Sequence, residues 1–214
     1  MTQSIRIDLF TDVVCPWCLI GTARLDQALA TLPEDVNVEI LHHPFLLDPT
    51  TPEEGQNTKE RLKAKYGGDI DAMQARVEGA ARDAGVPLDL SVQPMSYPTI
   101  KPHTLIRSAA PEHQYGLAKA FAAAYFLEGK NITDDTLLAD IAAQYGYTRE
   151  AALELIADEA ENNTTKAMAV SASQQGINGV PFFIFNNQFA ISGGQPLEVF
   201  QRAFRVALGQ EQLT

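Results

Sequence analysis

The chain has 214 residues, enough for one core domain carrying an insertion but not for two large ones, and its hydrophobic content of 45% is that of a protein with a buried core. Its net charge of −11, from 27 acidic residues against 16 basic, argues against nucleic acid or an anionic membrane as a partner. No run approaches the ~20 apolar residues of a membrane span, and Met1 to Phe10 lacks the basic and apolar regions of a secretory signal, so a cytoplasmic location is expected.

Ile5 to Phe10 reads as a strand. Cys15-Pro16-Trp17-Cys18 follows it and holds the only two cysteines of the chain. Leu19 to Leu32 reads as a helix, with Leu25, Ala28, Leu29 and Leu32 at helical spacing. Val36, Val38 and Ile40 alternate with polar residues and predict a second strand, parallel to the first across the helical connection. The prolines of His42-His43-Pro44-Phe45-Leu46-Leu47-Asp48-Pro49 predict irregular structure there, leading into a loop that runs to Asn57. The pattern is then helical almost throughout. Predicted helices cover Thr58–Tyr66, Ile70–Ala84, His103–Ser108, Glu112–Leu127, Asp134–Tyr145 and Arg149–Gln175, the last one bent. Phe182 to Phe185, the Asn186-Asn187 turn and Gln188 to Ile191 make a hairpin. Pro196 to Leu208 closes the chain as a helix with Leu197, Phe200, Phe204 and Leu208 on one face.

Two cysteines in a chain of this size do not make a disulfide scaffold; in a reducing compartment such a pair is catalytic or metal-binding. At a strand-to-helix junction the helix N-terminus offers free N–H groups and partial positive charge, which favour thiolate at Cys15. Pro16 suits the first helical turn, where its missing N–H has no partner to lose. Metal binding would recruit His42, His43, His103 or His113, but the chain has no second cysteine pair and no His-x3–5-His spacing, so no metal is expected.

Three blocks carry a resemblance. They are Asp12-Val13-Val14-Cys15-Pro16-Trp17-Cys18 with Gly21, then Gly176 to Phe183, which contains Val180-Pro181, and then Ile191-Ser192-Gly193-Gly194-Gln195-Pro196. Together they resemble the DsbA-like thioredoxin-fold oxidoreductases and, within them, the cytoplasmic FrnE-like group. The resemblance implies an α/β thioredoxin-like fold (β-α-β … β-β-α) with a large all-helical insertion. Residues 1–57 and 176–214 would form the thioredoxin-like domain and residues 58–175 the insertion. It further implies a cis Val180-Pro181 bond beside the motif, with the Val180 backbone free to bond a substrate. The implied activity is thiol–disulfide exchange with Cys15 as nucleophile, Cys18 as resolving thiol, and Pro16 and Trp17 tuning the potential. No cofactor beyond the Cys15–Cys18 couple is expected, with glutathione a candidate co-substrate. The partners would be a disulfide-containing protein or small molecule and a recycling reductant or oxidant of unknown identity, with neither nucleic acid nor membrane.

Three further residues are candidates. Asp8, on the first strand, is a candidate proton acceptor if it lies beneath the motif, where desolvation would raise its pKa; otherwise it is a strand residue on a wetter face. His42 and His103 are candidate substrate contacts, His103 equally a capping or packing residue. Cys15 is expected to be the more exposed cysteine and Cys18 the more buried. The helical block is expected to form a lid over the motif. Two alternatives remain at this stage: a glutathione-dependent isomerase or transferase of the same fold, whose members carry a single Ser or Cys at the position of Cys15, and a non-catalytic binding protein.

Overall fold

Ile5, Ile7 and Leu9 alternate along strand β1 (Gln3–Thr11) and are fully buried on one face, as period-2 geometry requires of a central strand. In the computed structural model, which describes residues 3–212, β1 lies between β2 (Val36–Pro44) and β5 (Phe182–Phe185), with β6 (Phe189–Ser192) beyond β5. β2 runs parallel to β1 with Ile40 opposite Ile7, whereas β5 is antiparallel with Phe183 opposite Leu9. The β5–β6 turn is made by Asn186 and Asn187 at φ 51° and 54°, the left-handed region that asparagine tolerates best among non-glycine residues.

Helices α1 (Pro16–Leu29) and α9 (Leu197–Ala207) cover the Ile5–Ile7–Leu9 face. Leu25 and Ala28 from α1 and Phe200 and Phe204 from α9 complete that core with Phe183 and Phe185. The insertion adds a two-residue ribbon, β3 (Gln56–Asn57) with β4 (Met95–Ser96), and helices α2 (Thr58–Tyr66), α3 (Ile70–Asp83), α4 (Ile100–Ser108), α5 (Pro111–Phe126), α6 (Asp135–Ala142), α7 (Arg149–Ala157) and α8 (Glu159–Gln174). Its core, around Leu105, Leu117, Phe121 and Ile156, takes in Val13, Leu19 and Ile20 from the motif and α1. The second face of the sheet packs Phe10, Phe45 and Ile177 against Ala172 of α8.

Besides the β3–β4 ribbon, which the sequence did not predict, three elements differ from the expectation. β2 continues through His42, His43 and Pro44, because it is an edge strand and Pro44 ends it, where a missing N–H breaks no internal ladder. α4 begins at Ile100 rather than His103; Pro102 sits in the first turn, where proline costs no hydrogen bond. The long last helix of the insertion is broken at Asp158, which is extended at φ −77°, ψ 109° and caps α8 by accepting from Ala160 N at 2.8 Å.

Candidate active site

The chain leaves β1 and turns tightly at Asp12, whose carbonyl accepts from Cys15 N at 3.0 Å. Cys15 is the N-cap of α1, with extended backbone (φ −96°, ψ 112°), and Pro16 follows as the first helical residue. The Cys15 carbonyl accepts from Cys18 N at 3.0 Å, so the second cysteine stands one turn up the helix with its thiol against that of Cys15. The two are free thiols, not a disulfide.

The expected difference in exposure is absent: Cys15 and Cys18 are each 4% exposed. The Val180 carbonyl covers Cys15, accepting from its thiol at 3.6 Å. What separates the cysteines is the space that each faces. Cys15 lines a cleft of about 480 Å³, and Cys18 does not. Cys18 lines only a small cavity behind the motif, shared with Thr11, Asp12 and His42. Burial first, and then the neighbouring Cys15 sulfur, push the Cys18 thiol well above the ordinary range; a backbone hydrogen bond from Asp12 works the other way, and the Asp12 charge pushes it up again.

The other two motif blocks close around the pair. The Val180–Pro181 peptide bond is cis, and the Pro181 carbonyl accepts from Gly193 N at 2.7 Å. Arg24, two turns beyond Cys18, donates to the Gly194 carbonyl at 2.6 Å. A Cβ at Gly21 would lie 2.8 Å from Pro181 Cγ, and one at Gly194 would lie 3.1 Å from the Trp17 carbonyl. Both glycines are therefore there for close approach, and they let α1, the Pro181 segment and the Gly193-Gly194 bend meet at the motif.

The cleft in front of Cys15 is walled by Pro16 and Trp17 on one side and Asn178 to Val180 on another. Arg61, Lys65 and Tyr66 of α2 and Met73 and Val77 of α3 line it as well. The lid is thus α2 and α3; α5, from the same insertion, packs instead along β2, where Gln114 accepts from His42 N at 3.1 Å. Phe45, Leu47 and Phe126 line the cleft interior.

A family model of the DSBA-like thioredoxin domain matches residues 6–205. The chain belongs to this DsbA-like family. It is 30% identical to a probable DsbA oxidoreductase of Streptomyces coelicolor, over 98% of this chain and 92% of the other, with a TM-score of 0.83. The fold is shared with a 2-hydroxychromene-2-carboxylate isomerase at 17% identity and TM-score 0.71, over 97% and 100% of the two chains. It is shared likewise with the cytosolic disulfide reductase DsbM of Pseudomonas aeruginosa, solved with GSH, at 14% identity and TM-score 0.63, over 95% and 99%.

In this DsbA-like chain the remaining sequence candidates stand away from the cleft. Asp8 faces the side of the sheet opposite α1, because strand alternation puts it out of register with Ile7 and Leu9. There Arg6 Nη2 and His43 Nε2 each bond its Oδ1 at 2.8 Å. Burial pushes its carboxyl up, but Arg6 and then His43 outweigh it, and the net pKa is lowered, contrary to the expected rise. His42 and His103 are buried behind the motif, stacked with centroids 5.9 Å apart, and neither lines the cleft. His42 bonds Thr11 Oγ1; burial, then the neighbouring His103 and His43, hold its pKa well below the usual range, so the ring is neutral.

His103 Nε2 lies 3.3 Å from Asp12 Oδ1, and its Nδ1 is buried without a partner. Asp12, which the sequence reading quoted only as motif, is the carboxylate closest to the chemistry: it borders the Cys18 cavity and also accepts from Leu47 N at 2.8 Å. A charged residue in the turn just ahead of a CxxC was the available signal, since it has to be buried or paired there. No group of three or more His, Cys, Asp and Glu among the described residues is arranged to hold a metal ion, and no helix there is long and apolar enough to cross a membrane.

Proposed function

We propose that the protein is a thiol–disulfide oxidoreductase in which Cys15 attacks and Cys18 resolves. The observation that carries this reading is the asymmetry of access: the cleft opens on Cys15 alone, while Cys18 lies behind it with its thiol pKa pushed up by burial. Cys15 as thiolate attacks one sulfur of a substrate disulfide; that bond breaks and a mixed disulfide forms. Cys18 then loses its proton and attacks Cys15 Sγ, releasing the second substrate thiol and leaving the protein oxidised. The same steps reversed oxidise a dithiol. The Val180 carbonyl, beside Cys15, is placed to accept from the N–H of an extended substrate. We also propose a cytoplasmic setting with a disulfide-containing protein or small molecule as substrate and glutathione as a candidate co-substrate, in line with the likeness to a cytosolic disulfide reductase solved with GSH. The isomerase of the same fold suggests a glutathione-dependent isomerisation as the second reading. The second thiol, in contact with Cys15, favours exchange over that chemistry.

The test is reduction of insulin and of glutathione disulfide, with a redox titration of the pair. Cys18→Ser should accumulate mixed disulfides through Cys15, and Cys15→Ser should accumulate almost none. Equal trapping by both variants, or no exchange by the native protein, would overturn the assignment.

A further inference from the structure

Helix α2 is unusual in this fold: none of its residues is buried. It is tied at its start by Asn57, which accepts from Glu60 N at 3.1 Å, and it lies over the Cys15 cleft. Two of its residues on that side are cations one turn apart, Arg61 and Lys65, a spacing that puts both on one helix face. Arg61 is mostly covered, with a side chain 15% exposed, yet its ion pair with Asp48 is long at 3.6 Å and its Nε is buried with no hydrogen-bond partner. Lys65 has no ion-pair partner among the described residues; its ammonium rests 5.3 Å from the ring centre of Tyr66. In a chain of 27 acidic and 16 basic residues, no Asp or Glu among the described residues lines this cleft. Behind the cations the interior is apolar, with Phe45, Leu47, Val77 and Phe126 among its walls. A volume of about 480 Å³ is that of a small-molecule site, and a chain entering it would have to be thin.

We propose that Arg61 and Lys65 select small disulfides bearing carboxylate groups, which this cleft holds with the disulfide at Cys15 and an acidic end against α2. The proposal rests on the oxidoreductase reading and adds the substrate class. The apolar walls take the carbon skeleton, and the carboxylate supplies the counter-charge that Lys65 lacks among the described residues and that Arg61 finds only at 3.6 Å from Asp48. The reaction balances without a further reagent in a single turnover. The reduced protein gives up two electrons and two thiol protons, the substrate S–S bond breaks, the Cys15–Cys18 bond forms, and two substrate thiols leave.

Three linear disulfides that differ in end charge test this: 3,3′-dithiodipropionate (dianionic), bis(2-hydroxyethyl) disulfide (neutral) and cystamine (dicationic). Pre-reduced full-length protein, freed of reductant, is mixed with each in turn. Product thiol and the fluorescence of Trp17, the only tryptophan, report the turnover. Rates are divided by those of free dithiothreitol with the same disulfide, which removes intrinsic reactivity; uncorrected, the more acidic thiol leaves faster, and that favours cystamine. The expected order is dianion above neutral above dication, with a dianion-to-neutral ratio of about ten, the scale of two cations acting through a partly screened cleft.

Arg61→Ala/Lys65→Ala should bring that ratio towards one. Lys65→Glu, a change on a helix with no buried residue, leaves Arg61 facing one new carboxylate and should bring the dianion and the dication close to equal normalised rates. Equal normalised rates for all three disulfides, or a ratio untouched by either variant, would overturn the selection while leaving the oxidoreductase standing. No reaction with any of them while insulin is still reduced would overturn this proposal alone; no reaction with them, with insulin or with glutathione disulfide would overturn the oxidoreductase reading as well.

Discussion

At the scale of single residues, Asp12 carries more than its place in the sequence suggested. Its two carboxylate oxygens serve different donors: Leu47 N at 2.8 Å ties down the segment that follows β2, and His103 Nε2 at 3.3 Å fixes a buried ring behind Cys18. Truncation leaves both donors without a partner, at about 1–3 kcal/mol each if water cannot reach them. Asp12→Ala should therefore lower the stability to urea by ~2–4 kcal/mol, and Asp12→Asn, which keeps one acceptor, by less. The charge has a separate signature. It contributes to the rise of the Cys18 pKa, so Asp12→Asn in a Cys15→Ser background should move the Cys18 thiolate titration to lower pH, as read by ultraviolet absorbance. An unchanged titration in that background would mean that burial holds the thiol up without the Asp12 charge.

At the scale of elements, the site exists because α1 meets the Pro181 segment and the Gly193-Gly194 bend at contact distance. Gly21 is the residue on which opposing effects can be weighed. Alanine in a helix interior is worth about 1 kcal/mol over glycine, but here its Cβ would meet Pro181 Cγ at 2.8 Å, and overpacking of that kind costs about 1–3 kcal/mol. Gly21→Ala should therefore be a net loss, seen as a lower melting temperature. It should also change the alkylation rate of Cys15, whose thiol is held by the neighbouring Val180 carbonyl. Gly194→Ala, with a milder 3.1 Å contact to the Trp17 carbonyl, should lose less. These contacts were legible in outline, because Gly21, Val180-Pro181 and Gly193-Gly194 each belong to a short motif block. The cations of α2 were not. The turn signals marked the ends of that helix, but which of its faces looks at Cys15 depends on how the insertion folds back, and no local pattern records this. The stacking of His42 on His103 was hidden for the same reason, since it joins an edge strand to a helix of the insertion. The extra length of β2 was hidden because prolines at the end of an edge strand and in a loop look alike.

At the scale of the whole molecule, the burial of His42 and the pairing of Asp8 with Arg6 and His43 shape how the fold responds to acid. His42 and Asp8 both have lowered pKa values in the folded state, against ordinary values of 6.5 and 3.8. For each group the unfolded chain binds a proton before the folded one does, so stability rises with pH across the gap and is lost as pH falls through it. The signs agree and the windows differ. The His42 contribution begins to disappear as pH drops below about 6.5, because the unfolded imidazole charges while the buried one, bonded to Thr11 and facing His103, does not. The Asp8 contribution persists until about pH 3.8, below which the unfolded carboxyl is protonated while Arg6 and His43 still hold the folded one ionised. The exposed carboxylates of this acidic chain add little to either limb, because water already solvates them. Urea midpoints measured from pH 8 to pH 3 should accordingly fall in two stages. A His42→Gln variant should be less stable at pH 8 but should show a flatter curve between pH 6.5 and 4, while Asp8→Asn should lose stability throughout the upper range and flatten only the lowest stage. A native curve without slope between pH 6.5 and 4 would show that His42 takes up its proton inside the fold, and would place solvent behind Cys18, where the structure places packed side chains.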